Sequence, residues 1–213
     1  MTRRVAGIEI PDSGIACAAT VRMRCAEAGW MFDHAVRSFL FGMLAGRRDR
    51  IACNAELLYV AALFHNAGLH FEHRHSARRF EIDGADAARD FLRRHGASEA
   101  DAADVWDAIA LHTTPGIAEH KSPLVAMMHA GVQMDVRGLG YATFDPDARD
   151  AIVRAYPRDP GFKESILEAY ALGIAHRPHT TFGTVSADVL DRWDPNYRRL
   201  NFCGLVLGSD WPD

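Results

Sequence analysis

The chain is poor in the features that would tie it to an oxidising compartment, a bilayer or a polyanion. Its four cysteines, Cys17, Cys25, Cys53 and Cys203, form no CxxC pair among 213 residues. They read as small apolar residues in a reducing compartment, not as a disulfide framework or a zinc knuckle. No uninterrupted apolar run approaches the roughly 20 residues that a membrane-spanning helix needs. The opening MTRRVAGIEIPDSG carries basic residues without the apolar stretch of a signal peptide. Excess positive charge is also missing: 24 Lys and Arg face 28 Asp and Glu, for a net charge of -4. Binding to nucleic acid by phosphate neutralisation is therefore not expected. Repeats, low-complexity segments and a convincing linker are absent too. These absences point to a cytoplasmic globular protein with no membrane or nucleic-acid partner. With 48% hydrophobic residues it can bury a sizeable core, and one domain over residues 1–213 is expected.

What is present is helical pattern. The segment from Ser13, SGIACAATVRMRCAEAG, is rich in helix formers and is expected to end at Gly29. Next, FDHAVRSFLFGMLAG sets Phe32, Val36, Phe39, Leu40, Met43 and Leu44 at helical spacing. The following NAELLYVAALFHNAG is apolar almost all round, with Asn54 as N-cap and Gly68 just past its end. Such a helix is normally the buried centre of a helical domain. After the His-rich stretch LHFEHRHSARRFEI, a helix over DGADAARDFLRRHG is expected to be capped by Asp83. Ser98-x-x-Asp101 opens another helix with an acidic form of the capping box. A further helix has Pro123 in its first turn and Gly138 beyond its end. DPDARDAIVRAY and GFKESILEAYALGIAH add two more, and the tail from Arg177 is irregular apart from a short helix at SADVLDRW. The fold class is all-α, a compact helical domain with an irregular C-terminal tail.

Three of these helices each bring a metal-competent side chain: His34, His65 with its neighbour Asn66, and Asp135. Two imidazoles with oxygen ligands suit one divalent transition ion, zinc foremost and iron or manganese as alternatives. Such an ion lowers the pKa of bound water to about 7. Spacing alone decides little, because 11 histidines offer many pairs.

In the order DHAVR (His34), LFHNAG (His65-Asn66) and QMDVRG (Asp135), the chain resembles the HD-domain metal-dependent hydrolase superfamily. That pattern is a His, a later His-Asp doublet after an apolar helix, and a distal Asp. The match spans roughly residues 30 to 140, with C-terminal helices and tail over 141–213. RFEIDGADAARDFL, the helix ending AIALH and the late RPHTTFGTVSADVL make it most similar to the cyanamide-hydratase-like branch. The resemblance implies that His34, His65 and Asp135 are metal ligands with Asn66 in the place of the doublet's Asp. It also implies that His112, ending the AIALH helix, faces the substrate. Asn66 departs from the pattern: its amide offers one neutral carbonyl oxygen and an NH2 that no metal accepts. Weaker metal binding or poorer activation of water is expected. A substitution introduced to inactivate an enzyme, a natural variant with altered chemistry and a pseudoenzyme all stay open.

The resemblance implies a metal-dependent hydratase or hydrolase acting on a small polar molecule, such as a nitrile or cyanamide. The metal would activate water, and His112 would orient the substrate or shuttle a proton. A phosphohydrolase acting on a nucleotide or phosphomonoester is the alternative, with Arg74, Arg78 and Arg79 as a cationic cluster. A metal-free small-molecule-binding pseudoenzyme is the reading of another class. Glu72 and Arg74 are possible substrate contacts if HFEHRH forms a lid, whereas His70, His73 and His75 read better as solvated loop residues. Glu81 and Asp83 read as caps and structural anchors. Tail aromatics Trp193, Tyr197, Phe202 and Trp211 could cover the core or a partner subunit, so a homodimer stays open.

Overall fold

The structure, a computed structural model of the chain, describes residues 3–211. Met1 and Thr2, at the head of the basic start, and Pro212 and Asp213, at the end of the tail, lie outside the described residues. The chain is built from helices α1 (Gly14–Ala26), α2 (Gly29–Asp49), α3 (Ala55–Phe64), α4 (Phe80–Arg94) and α5 (Glu99–Ala110), then α6 (Pro123–Arg137), α7 (Pro146–Ala155), α8 (Phe162–Ile174), α9 (Ser186–Trp193) and α10 (Phe202–Leu207). The all-α expectation holds. The exception is a small antiparallel hairpin, β1 (Arg4–Val5) with β2 (Ile8–Glu9), which buries Val5 and Ile8. Among the described residues no helix is long and apolar enough to cross a membrane.

Most helix ends are set by the local chemistry expected of them. Asn54 accepts from the backbone N–H of Glu56 at 2.9 Å, and Ser98 from that of Asp101 at 3.1 Å. Pro123 opens α6, and Gly138 closes it in the left-handed conformation at φ 70°. Two expectations need correction. Gly29 does not close α1 but opens α2: α1 ends when the Glu27 N–H bonds Met23, and extended Ala28 turns the chain straight into the next helix. Asp83 is not a cap either, because α4 begins three residues earlier, at Phe80. Phe80 is drawn inward by edge-on contacts with Tyr170 and His112. That places Asp83 in the buried first turn, where Arg177 and Arg78 neutralise it. The tail also holds one more helix than expected, α10.

Helix α3 occupies the centre, with every residue from Leu57 to Phe64 buried. Across the core, α2 and α6 run antiparallel at unusually close range. A Cβ on Gly131 would stand 2.0 Å from the Ser38 carbonyl oxygen, and one on Gly42 2.7 Å from that of Met127. Each turn forward along α2 is thus matched by a turn back along α6. One turn before Ser38 and one turn after Gly131, the same register sets His34 opposite Asp135. A second apolar cluster of Phe80, Phe162, Ile166, Tyr170, Ile174 and Leu190 joins α8 and α9 to this body. Tyr197 packs on it, whereas Trp193, Phe202 and Trp211 remain exposed.

Because backbone atoms on both sides leave no room for a methyl group, Gly131→Ala must push α2 and α6 apart. A loss of about 3 kcal/mol, the upper end of ordinary overpacking costs, is expected in denaturant unfolding. An unchanged midpoint would refute the close helix crossing.

Candidate metal centre

The register of α2 and α6 delivers His34 and Asp135 to one spot, and the end of α3 delivers His65 to the same place, with Asn66 the residue that follows it. All four are essentially buried. The His34 Nδ1 lies 2.7 Å from Asp135 Oδ2, and its Nε2 lies 3.1 Å from the Nε2 of His65. His65 Nδ1 is 2.6 Å from the Ala62 carbonyl oxygen. A carbonyl can only accept, so His65 Nδ1 carries its proton. The Asp135 carboxyl is held below its usual pKa, against the cost of burial, by hydrogen bonds and charge from His34 and Arg37. It too accepts, and His34 Nδ1 donates.

With both Nδ1 atoms committed, two Nε2 lone pairs face each other at 3.1 Å in a dry site. Burial and the neighbouring imidazoles push the pKa of His65 well below the ordinary histidine value. Positive charge between the two nitrogens, from a proton or an ion, would relieve the repulsion. Two ligand bonds of about 2.0–2.1 Å to a shared ion can span this separation. A histidine whose second nitrogen donates to a carboxylate or carbonyl is the usual arrangement of a metal ligand.

His112 stands just past α5, packed edge-on against His65 with ring centroids 5.0 Å apart. Its Nδ1 donates to the Ile109 carbonyl at 2.6 Å, and burial lowers its pKa to about 4. Its Nε2 is therefore an unprotonated acceptor, and it has no hydrogen-bond partner. Both polar atoms of the Asn66 amide are likewise buried without partners. Orphans of this kind are rare in folded proteins and call for a missing ligand, ion or water.

Asp135 is engaged elsewhere. Arg37 Nε donates to its Oδ1 at 2.8 Å and Arg37 Nη2 to its Oδ2 at 3.0 Å, a bidentate pair completed by His34. In this arrangement Asp135 orients His34 and does not face the gap between the imidazoles. Accordingly, no set of three or more His, Cys, Asp or Glu side chains stands ready-made for an ion among the described residues. The donors that do fit are the two imidazole nitrogens.

Glu72 and Arg74 are not brought to this cluster. The HFEHRH stretch folds into short 3₁₀ turns in which Glu72 lies 3.5 Å from His73 and Arg74 stacks over Phe71, while His70, expected to be solvated, is instead largely buried 3.8 Å from the Glu27 carboxylate and His73 lies 3.9 Å from Asp83. Arg78 and Arg79 are spent on Asp83, Asp86 and Glu81. Arg37 is the residue that sequence reasoning missed. Its signal was a cation three positions after His34, set in the apolar part of α2 well before Arg47 and Arg48 at the helix end. Phe162, whose ring centroid is 5.6 Å from that of His34 and which also underlies Arg37, gave no such signal.

Two outcomes follow. Arg37→Met strands a buried carboxylate, so unfolding titrations should show a loss of about 3–5 kcal/mol; a change under 1 kcal/mol would contradict the clamp. The second concerns pH in the metal-free protein. The folded pKa of His112 is depressed, so the unfolded chain binds more protons between its ordinary value of 6.5 and about 4. This contribution is complete above pH 6.5 and is lost as the pH falls toward 4. His112→Gln should flatten that decline in urea midpoints measured under EDTA, and an unaltered slope would count against a buried neutral imidazole.

A model of the HD domain matches residues 31–156, a span that includes His34, His65, Asn66, His112 and Asp135. No curated protein matches the chain.

Proposed function

The chain belongs to the HD-domain family, and we propose that it uses the His34–His65 pair to hold a divalent ion for adding water to a small, uncharged polar substrate. HD domains are generally metal-dependent hydrolases. The observation that carries the reading is the pair of Nε2 atoms at 3.1 Å, each ring fixed by its own Nδ1–H. His34 and His65 would hold the ion through Nε2, with Asn66 Oδ1 as the adjoining oxygen donor. Such an ion supplies Lewis acidity and lowers the pKa of water.

The remaining roles fall to the chain's own side chains. Asp135, braced by Arg37, keeps His34 in the tautomer that presents Nε2. His112, neutral at physiological pH, can accept a proton or hydrogen bond at Nε2. The Asn66 NH2 group can donate to a substrate atom. Complete burial keeps bulk water out and limits the substrate to a small molecule.

The finer reading is hydration of a nitrile-type bond, as the cyanamide-hydratase-like resemblance implies. Water's oxygen bonds the carbon and both its protons end on nitrogen, turning cyanamide into urea. An uncharged substrate suits a cluster whose adjoining guanidiniums, Arg37 and Arg158, are both engaged by Asp135. The same fact weighs against phosphate at this spot. The pseudoenzyme reading draws its support from Asn66 and from the engaged Asp135, which together offer no free carboxylate to the ion.

Metal analysis of Asn66→Asp beside the unaltered chain tests the proposal. The added carboxylate should raise metal affinity by at least about tenfold, and His34→Ala should abolish binding in both backgrounds. Turnover of a nitrile and amide panel should rise with metal content. Equal metal-free inactivity of the unaltered chain and the Asn66→Asp variant would favour a binding protein instead.

A further inference from the structure

Although the chain is acidic overall, it gathers cations at one place away from the histidines. A cavity of about 490 Å3 lies between α2, the C-terminal end of α6, α7 and the start of α8. Arg137, Arg149, Arg158 and Lys163 line it. Only two carboxylates share the lining, Asp150 and Asp135, and Asp135 divides its charge among Arg37, His34 and, at 3.8 Å, Arg158.

The cations are under-used. Among the described residues, neither Arg137 nor Lys163 has a carboxylate within ion-pair distance; Arg137 makes one hydrogen bond, to the Gln133 side chain at 3.0 Å. Arg149 lies 3.6 Å over the Tyr141 ring and donates to the Tyr141 carbonyl, yet its buried Nε has no partner. Arg158 is half-buried, donates to the Asp135 carbonyl oxygen, lies 3.8 Å from a carboxylate oxygen of Asp135 and 4.3 Å over the Phe162 ring, and has its pKa lowered on balance, by burial and by Arg37 against the opposing charge of Asp135. Lys163 sits in the first turn of α8, whose cap, Gly161, has no side chain to accept from the free N–H groups there. Like charges converging on a concave surface raise the local potential and concentrate anions. The floor is apolar, formed by Phe41, Met134, Val136 and Val153.

We propose that this cavity is a binding site for a small organic phosphate or phosphonate, its anionic head among Arg137, Arg149, Arg158 and Lys163 and its compact apolar body on the floor below. The site adjoins the metal centre without containing it. His34, His65, Asn66 and His112 do not line it, and the lining residue they share is Asp135, whose Oδ2 accepts from His34 while its carbonyl accepts from Arg158 and its Oδ1 lies 3.8 Å from the same guanidinium. The proposal does not rest on metal binding.

Phenylphosphonate, which carries the charge and the ring and has no ester bond to hydrolyse, is the probe. Calorimetric titration of the full chain should show one saturable site that weakens as salt rises. Its neutral counterpart, benzyl alcohol, should bind far more weakly. The double variant Arg137→Gln/Lys163→Gln removes two exposed cations without emptying the core and should lower phenylphosphonate affinity about tenfold or more. EDTA treatment should leave the affinity unchanged. Absence of saturable binding would overturn the proposal. So would binding that survives the double substitution but is lost with EDTA, since the anion would then sit at the metal centre.

Discussion

Arg37 and Asp135 meet in the dry interior between α2 and α6 as a bidentate ion pair with neither side chain exposed to solvent. Such a pair is poor value for stability alone, because desolvating two charges consumes most of what their attraction returns. What it does is hold direction. Asp135, pinned by Arg37, presents Oδ2 to His34 and fixes which ring nitrogen of that histidine carries the proton. The free nitrogen is thereby aimed at His65. The close crossing at Gly131 and Gly42 supports this clamp, since a wider helix spacing would draw the carboxylate away from the imidazole.

A second polar network holds the other side of the site. Fully buried Arg177, following α8, donates to Asp83 and to the carbonyl oxygens of Gly68, Arg78 and Gly173. It thus ties the turn after His65–Asn66 to the head of α4. Glu81, in the same first turn, accepts from Thr113 beside His112. The three histidines accordingly sit on backbone segments that buried ion pairs immobilise, and preorganisation of this kind lets ligands act without first being ordered.

Much of this was legible in the chain. The apolar α3, its Asn54 cap, Pro123 and Gly138 around α6, and the helix at SADVLDRW follow from period and end chemistry, which act over a few residues. The His34, His65 and Asp135 positions were legible from their order. What was not legible depended on contacts between distant residues. The role of Asp135 turns on an arginine about 100 residues away in sequence, and the start of α4 on Phe80 packing against Tyr170. The same holds for the basic cavity: Arg137, Arg149, Arg158 and Lys163 look like ordinary surface charges until three helices bring them together. Glu72 and Arg74 looked promising only by proximity to the doublet, and the 3₁₀ turns direct them outward.

Everything proposed for the site depends on the His34 and His65 nitrogens sharing an ion. X-ray absorption at the zinc edge of the zinc-loaded chain measures this directly. It should show at least two imidazole nitrogens in the inner shell, and His34→Ala should leave no zinc in such a shell. A shell without imidazole scattering, or one unchanged by that substitution, would contradict it.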